Sequence, residues 1–367
     1  MLLSPVRAIA LYLPQFHPIA ENDAWWGRGF TEWTNTAKAV PRFRGHQQPH
    51  VPADLGFYDL RLAESRAAQA QLAAQYGIEA FCYYHYWFAG RRLLERPFEE
   101  VVASRKPDFP FCLCWANETW SGVWHGAPKT VLMEQTYPGV DDHKRHFDAL
   151  LPAFSDPRYV RIDGRPVFWF YNTTTIPALE ATLELWRSLA QTAGLGGLYL
   201  VGTSRAGQED LTALGFDAMM DMPPMIKRGW ISRRSPAAWL RQQYEVRRGI
   251  PLRIDFGAYL QSTMPRANPR FEAYPIVMHA FDNTPRSGAK GVVYTGSTPE
   301  TFTVQLRAAI AAVADKPRDR RIIILKSWNE WAEGNHLEPD LHTGHGYLEA
   351  LAATLRDTAA GLGPGVR

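Results

Sequence analysis

The stretch Trp328-Asn329-Glu330-Trp331-Ala332-Glu333-Gly334 holds the residue types best suited to chemistry. Two carboxylates three residues apart, wedged among tryptophans, point to glycosidic-bond chemistry, where one carboxyl group acts as acid and a neighbour as base. On a helical turn, positions i and i+3 share a face, roughly 5–6 Å apart at Cβ. The motif directly follows Arg321-Ile322-Ile323-Ile324-Leu325, an apolar, β-branched run that reads as a buried parallel strand. A competing reading is a surface helix start, with Asn329 as cap and two solvated glutamates favoured by the helix dipole.

Such a pair needs a scaffold, and the chain alternates apolar strands with helical stretches nearly throughout. Candidate strands are Ala8–Leu13, Ile78–Tyr84, Phe111–Trp115, Val167–Tyr171, Leu198–Gly202, Ala218–Met222, Ile276–Ala280 and Arg321–Lys326. About eight parallel strands is the count of a closed (β/α)8 TIM barrel. Helices are expected at Asp59–Tyr76, ended by Gly77, and at Thr175–Ala193 and Pro299–Ala314. Long polar loops follow several strands, notably from about Pro14 to Asp54 and between Asp221 and Tyr274, the latter with a helix at Pro236–Arg247. These read as insertions on one face of a single domain.

Parallel barrels place function at the C-terminal ends of their strands, where the βα loops meet. That rule collects Gln15 and His17, His85 and Trp87, Asn117 and Glu118, Tyr171 and Asn172, Asp221, Asp282 and Asn283, then Glu330 and Glu333. Nearly every strand ends in hydrogen-bonding residues, a repetition that structure alone gives little reason for. The 13 Trp, 15 Tyr and 18 Phe often sit in polar company, as in Trp25-Trp26-Gly27, which suits sugar rings with apolar faces and polar rims. The expected substrate contacts are Gln15, His17, Trp26, Glu32, Trp33, His85, Trp87, Trp115, Asn117, Glu118, Tyr171, Asp282, Asn283, Trp328 and Asn329, around Glu330 and Glu333 as catalytic residues.

Other classes find less support. A formal charge of +3 over 367 residues gives no handle for nucleic acid or an anionic membrane. His336, His342 and His345 share a segment, but no metal-binding spacing supports them, so no metal or cofactor is expected. P-loop, dinucleotide and serine-elbow motifs are missing. Cys82, Cys112 and Cys114 fall in predicted strands, which argues against a disulfide framework. No signal peptide or membrane span is visible, and a cytoplasmic location is the default.

The blocks Tyr12–Pro18, Trp25–Gly27, Gly29–Trp33, Pro52–Gly56, Tyr83–Trp87, Trp115–Glu118, Phe281–Arg286 and Trp328–Pro339 together resemble the WbsX-like family. The likeness covers essentially the whole chain and implies one catalytic domain over residues 1–367. That family is similar to glycoside hydrolase family 99, the endo-α-mannosidases, and its members are often named glycosyltransferases or lipopolysaccharide biosynthesis proteins. The resemblance implies that Glu330 acts as base on a sugar 2-hydroxyl and Glu333 as acid and then base, with retention through a 1,2-anhydro sugar. It thus implies an oligosaccharide or polysaccharide substrate, α-linked and of mannose or rhamnose type. The alternative it leaves is a glycosyltransferase of surface-polysaccharide synthesis; a non-catalytic binding relic would have lost a carboxylate. Two departures stand out: Ala332 replaces the histidine of the endo-mannosidases, and His125 stands where an acidic residue is expected.

Overall fold

The computed structural model of the chain describes residues 6–122, 127–204, 209–222, 236–268 and 270–361. Eight parallel strands close into a barrel: β1 (Arg7–Tyr12), β2 (Ala80–Phe88), β3 (Phe111–Trp115), β4 (Arg165–Phe170), β5 (Tyr199–Ser204), β6 (Ala218–Asp221), β7 (Ala273–Met278) and β8 (Ile322–Lys326). Closure is explicit in the register, where Ile9 of β1 faces Ile324 on one side and Ala80 on the other. Each of the eight runs expected from the sequence is a barrel strand, shifted by a few residues at its ends. Strands buried on both faces need continuous apolar sequence, and β1 and β8 are buried along their whole length.

The expected helices form at Ala63–Gln75, Leu179–Thr192 and Pro299–Val313. The last begins with a reciprocal cap, in which Thr301 N donates to Thr298 Oγ1 (3.3 Å) and Thr298 N to Thr301 Oγ1 (2.9 Å), ahead of Pro299. Gly77 takes φ +86° just beyond the first, a turn that favours glycine. Cys82, Cys112 and Cys114 are buried and free. No helix among the described residues is long and apolar enough to cross a membrane.

The described parts of the long loops hold local structure that the sequence only partly announces. The loop after β1 holds short helices at Ala20–Trp26 and Glu32–Ala37, the second capped by Thr31, whose Oγ1 accepts from Trp33 N (3.2 Å). The segment after β6 contains the expected helix, Pro236–Arg247, but also an unforeseen strand, Leu252–Asp255. That strand pairs in parallel with Val292–Thr295. Leu252, Ile254, Phe256, Tyr259, Leu260, Met278, Phe281 and Tyr294 bury together there, forming a second small core beside the barrel mouth.

Gly202 in β5 tests the tightness of the barrel's outer layer. A Cβ there would lie 2.8 Å from Leu211 Cδ1, 3.0 Å from Thr173 Cγ2 and 3.1 Å from Phe216 Cδ2. Gly202→Ala is expected to cost about 1–3 kcal/mol by overpacking, read as a lower urea midpoint with unchanged slope.

Candidate active site

Past Lys326 the chain does not enter an α-helix. Asn329–Glu330 and Asn335–His336 form a short antiparallel pair around a single 3-10 turn, Trp331–Glu333. Residues i and i+3 eclipse in that geometry, so the glutamates still lie on one side. Ser327 fastens the base of this turn: its hydroxyl donates to Asn335 O (2.7 Å) and accepts from Glu330 N (3.1 Å). Gly334 closes it at φ +54°, and a Cβ there would lie 2.9 Å from Asp282 Cβ.

The two glutamates meet at one arginine. Arg286 Nη1 donates to Glu333 Oε1 (2.7 Å) and Arg286 Nη2 to Glu330 Oε2 (3.1 Å). Nε and Nη2 of the same guanidinium hold Glu32 Oε2 at 3.1 and 3.0 Å. Glu32 comes from the loop after β1, Arg286 from the loop after β7, and the glutamate pair from the loop after β8. The four side chains are 4–12% exposed, and Lys326 Nζ stands 3.8 Å from Glu333 Oε2.

Burial sets the electrostatics. It pushes the Glu330 carboxyl up to about 7, helped by the charge of Glu333 and opposed by Arg286. Arg286 is held above its ordinary value: burial lowers it, but Glu32, Glu333 and Glu330 together outweigh that. A carboxyl group poised near neutral pH beside a second carboxylate is suited to proton transfer. Tyr84 and Tyr86 are buried close enough for the Glu330 charge to help raise their hydroxyl pKa values, after burial itself.

Several expected contact residues hold the frame. Asp282 Oδ2 accepts from Gln48 Nε2 (2.7 Å) and pairs with His46 Nε2 (2.7 Å), while its backbone N donates to Glu333 O (2.6 Å). Burial raises the Asp282 carboxyl, yet the His46, Thr284 and Gln48 bonds outweigh it and hold the group low. Asn283 Oδ1 accepts from Val292 N (2.8 Å), which joins the site to the second core. Asn329 caps no helix; its amide exchanges two bonds with the Leu13 backbone (2.7 and 3.0 Å). Trp328 is fully buried against Phe81, and Trp33 donates from Nε1 to Tyr58 O (2.8 Å) and packs on Trp331.

The remaining candidates spread around the mouth. Gln15 O accepts from Glu32 N (3.1 Å), so Gln15 adjoins the cluster through its backbone. Tyr171 stands edge-on to Tyr84, at 6.0 Å between ring centres. Asn117 clamps the β4 loop, with Nδ2 donating to Asn172 O (2.7 Å) and Oδ1 accepting from Asn172 N (2.8 Å). Glu118 beside it is half-buried, as are Trp26, near Phe30, and Asp221 at the end of β6. His85 forms a buried pair with His146 (Nε2–Nε2 2.8 Å), Trp87 donates to Asp142 (3.0 Å), and Trp115 packs against His146 and Trp186. His17 is buried at a cavity of about 250 Å³ that Arg92 and Arg96 also line. His125 lies outside the described residues.

Sequence reading missed the role of Arg286, which appeared only inside a motif block. It also missed Lys326 and Glu338. Glu338 accepts from Tyr58 Oη (2.9 Å), Gln69 Nε2 (2.6 Å) and Trp331 Nε1 (2.5 Å), tying the glutamate turn to the loop after β1 and to the helix Ala63–Gln75. A conspicuous charge in an otherwise buried segment was the available signal in each case.

Residues 8–351 match the family model described as Glycosyltransferase WbsX. The chain belongs to that family. It is 38% identical over 352 residues to the uncharacterized protein WxcX from two strains of Xanthomonas campestris pv. campestris, covering 96% of this chain. The match covers 50% of each of those proteins, so the chain spans about half their length. Among solved structures, a glycoside hydrolase-like protein superposes with a TM-score of 0.58 at 16% identity, covering 95% of this chain and 94% of the other. The GH99 endo-alpha-mannosidase from Bacteroides thetaiotaomicron gives a TM-score of 0.57 at 14% identity, covering 97% of this chain and 98% of the other. At those identities the likeness is one of fold, the (β/α)8 barrel that this WbsX chain carries.

Arg286→Gln leaves three buried carboxylates with Lys326 as the remaining cation near Glu333. Losing Arg286 removes the cation that opposes the burial-driven rise of Glu330, so that carboxyl moves further above its unfolded value, and its contribution to stability is kept at low pH and lost as pH rises through the folded value. Denaturant unfolding is expected to show a loss of about 3–5 kcal/mol at pH 8 and a clearly smaller one at pH 5.

Proposed function

We propose that this WbsX chain is a retaining glycosidase or transglycosylase acting on an α-linked, mannose- or rhamnose-type bacterial polysaccharide. The observation that carries this reading is the convergence of Glu330 and Glu333 on one guanidinium at the barrel mouth. In the proposed reaction Glu330 takes the proton of the 2-hydroxyl as O2 attacks C1 from the face opposite the leaving group. The C1–O bond breaks, and Glu333 gives its proton to the departing oxygen. Water then attacks C1 of the 1,2-anhydro sugar, losing a proton to Glu333, while the C1–O2 bond breaks and O2 regains its proton from Glu330. A sugar hydroxyl in place of water gives transglycosylation.

The raised pKa of Glu330 supports its part, because a base with a value near 7 is stronger than an ordinary carboxylate. Acid duty at Glu333 requires its contacts with Arg286 and Lys326 to yield as the leaving oxygen arrives. The mechanism needs a 2-hydroxyl trans to the leaving group, which α-mannosides and α-rhamnosides have. The family's description favours a second reading, transfer from an activated donor during surface-polysaccharide synthesis.

Product analysis separates these readings. Incubation with α-mannosyl and α-rhamnosyl oligosaccharides, without any sugar nucleotide, is expected to release a product of retained anomeric configuration. Transfer seen only with an activated donor would replace the glycosidase reading. Glu333→Gln should lower turnover about 10²–10⁴-fold on poor leaving groups and at least partly spare activated aryl glycosides, whereas Glu330→Gln should lose both. The reverse pattern would exchange the two roles.

The pH profile provides an independent check. If the pair delivers its base through Glu330, kcat/KM falls as pH drops below about 7, because protonation removes the base. A fall on the alkaline side of the same value would instead mark Glu330 as the acid.

A further inference from the structure

We propose that His50 Nδ1, His336 Nε2 and Asp340 Oδ2 form a binding site for a divalent first-row transition metal of the zinc type, one that clasps the loop after β1 to the catalytic turn. The three atoms lie within 4.8 Å of one another, and all three residues are buried or half-buried. His50 Nδ1 is 2.8 Å from Asp340 Oδ2, and His336 Nε2 is 3.7 Å from the same oxygen. Two imidazoles and one carboxylate match the nitrogen-and-oxygen sets of zinc and its neighbours, whereas calcium and magnesium favour oxygen throughout.

The surroundings prepare these atoms for a cation. His336 Nδ1 lies 2.9 Å from Glu338 O, a carbonyl that can only accept, so the proton of neutral His336 sits on Nδ1. Nε2 is then left with a lone pair directed at a carboxylate oxygen, two acceptors facing each other in a buried place. A second bond fixing the ring is the usual arrangement around a metal-bound histidine. Asp340 is equally fixed, since Oδ1 accepts from His342 N (3.0 Å), Thr343 N (2.6 Å) and Thr343 Oγ1 (2.8 Å), leaving Oδ2 for the site. A tetrahedral ion with bonds of about 2.0–2.1 Å sets its ligand atoms roughly 3.3 Å apart, within reach of small side-chain shifts. Neutral His50 moves its proton from Nδ1 to Nε2 on binding; protonated His50 releases one proton.

The site adjoins the chemistry without belonging to it. The His336 ring stacks on Trp331, between Glu330 and Glu333, at 3.7 Å and 10°. Backbone bonds already join the two loops, Ala53 N to Pro339 O (2.9 Å) and Leu341 N to Val51 O (2.9 Å). A cation there adds a side-chain clasp along the same seam. The proposal holds for a hydrolase and for a transferase alike.

The test uses the full chain after dialysis against a chelator, titrated with Zn²⁺ by calorimetry and with Co²⁺ by visible absorption. Saturable 1:1 binding, the absorption of tetrahedral cobalt with nitrogen ligands and a higher melting temperature are expected. His50→Gln, His336→Gln and Asp340→Asn should each weaken binding by at least about a hundredfold, more than the loss of an outer partner of a ligand. His345→Gln, which removes the neighbouring pair with Asp54, should leave it unchanged. Should Asp340→Asn fail to fold, the cobalt spectrum of the wild-type chain and the two histidine variants still decide. Absence of saturable binding, or affinity unaltered in the His50 and His336 variants, overturns the proposal.

Discussion

Three buried carboxylates around Arg286 are the constraint on which the barrel mouth is organised. Removing a charge from water is costly, and the cost is recovered only by close, well-oriented partners. Arg286 meets that need through Nε, Nη1 and Nη2 at once, as a planar donor fork allows and a lysine ammonium does not. Its partners come from opposite ends of the chain, so satisfying one guanidinium brings the loops after β1, β7 and β8 into register. The same balance leaves Glu330 near neutrality and able to exchange a proton.

Around this centre, neutral and ionic hydrogen bonds remove the remaining freedom. Asn329 binds the backbone where β1 ends, Asp282 holds the carbonyl of Glu333, and Glu338 gathers Tyr58, Gln69 and Trp331. Many residues that looked like sugar contacts are thus bound to the protein itself. These bonds fix the turn that carries the two carboxyl groups, and in the proposed mechanism a pair displaced by an ångström would lose much of its worth. Ala332, at one of the two departures from the resembled endo-mannosidase pattern, is fully buried in the turn. The departure therefore falls within the packed floor of the site.

The family's description names transfer, whereas the proposed mechanism is hydrolysis or transglycosylation. Within that mechanism, hydrolysis and transglycosylation differ only in what attacks the anomeric carbon. In the proposed mechanism that choice belongs to the loops bordering the acceptor side.

The sequence by itself determined the barrel and the position of the glutamate pair. Strands buried on both faces must be continuously apolar, and the stretch after the last strand must fall at the mouth. Helix ends at Thr298 and Gly77 were equally readable, because caps and turns are written in adjacent residues. The parallel strand at Leu252–Asp255 was not, since four residues have no period to read and their partner follows some forty residues later. Nor could sequence show that Arg286 would hold three glutamates, or that His50 would reach Asp340 across 290 positions. Those pairings were decided only when the barrel closed, because side-chain contacts between distant loops depend on where closure brings their backbones.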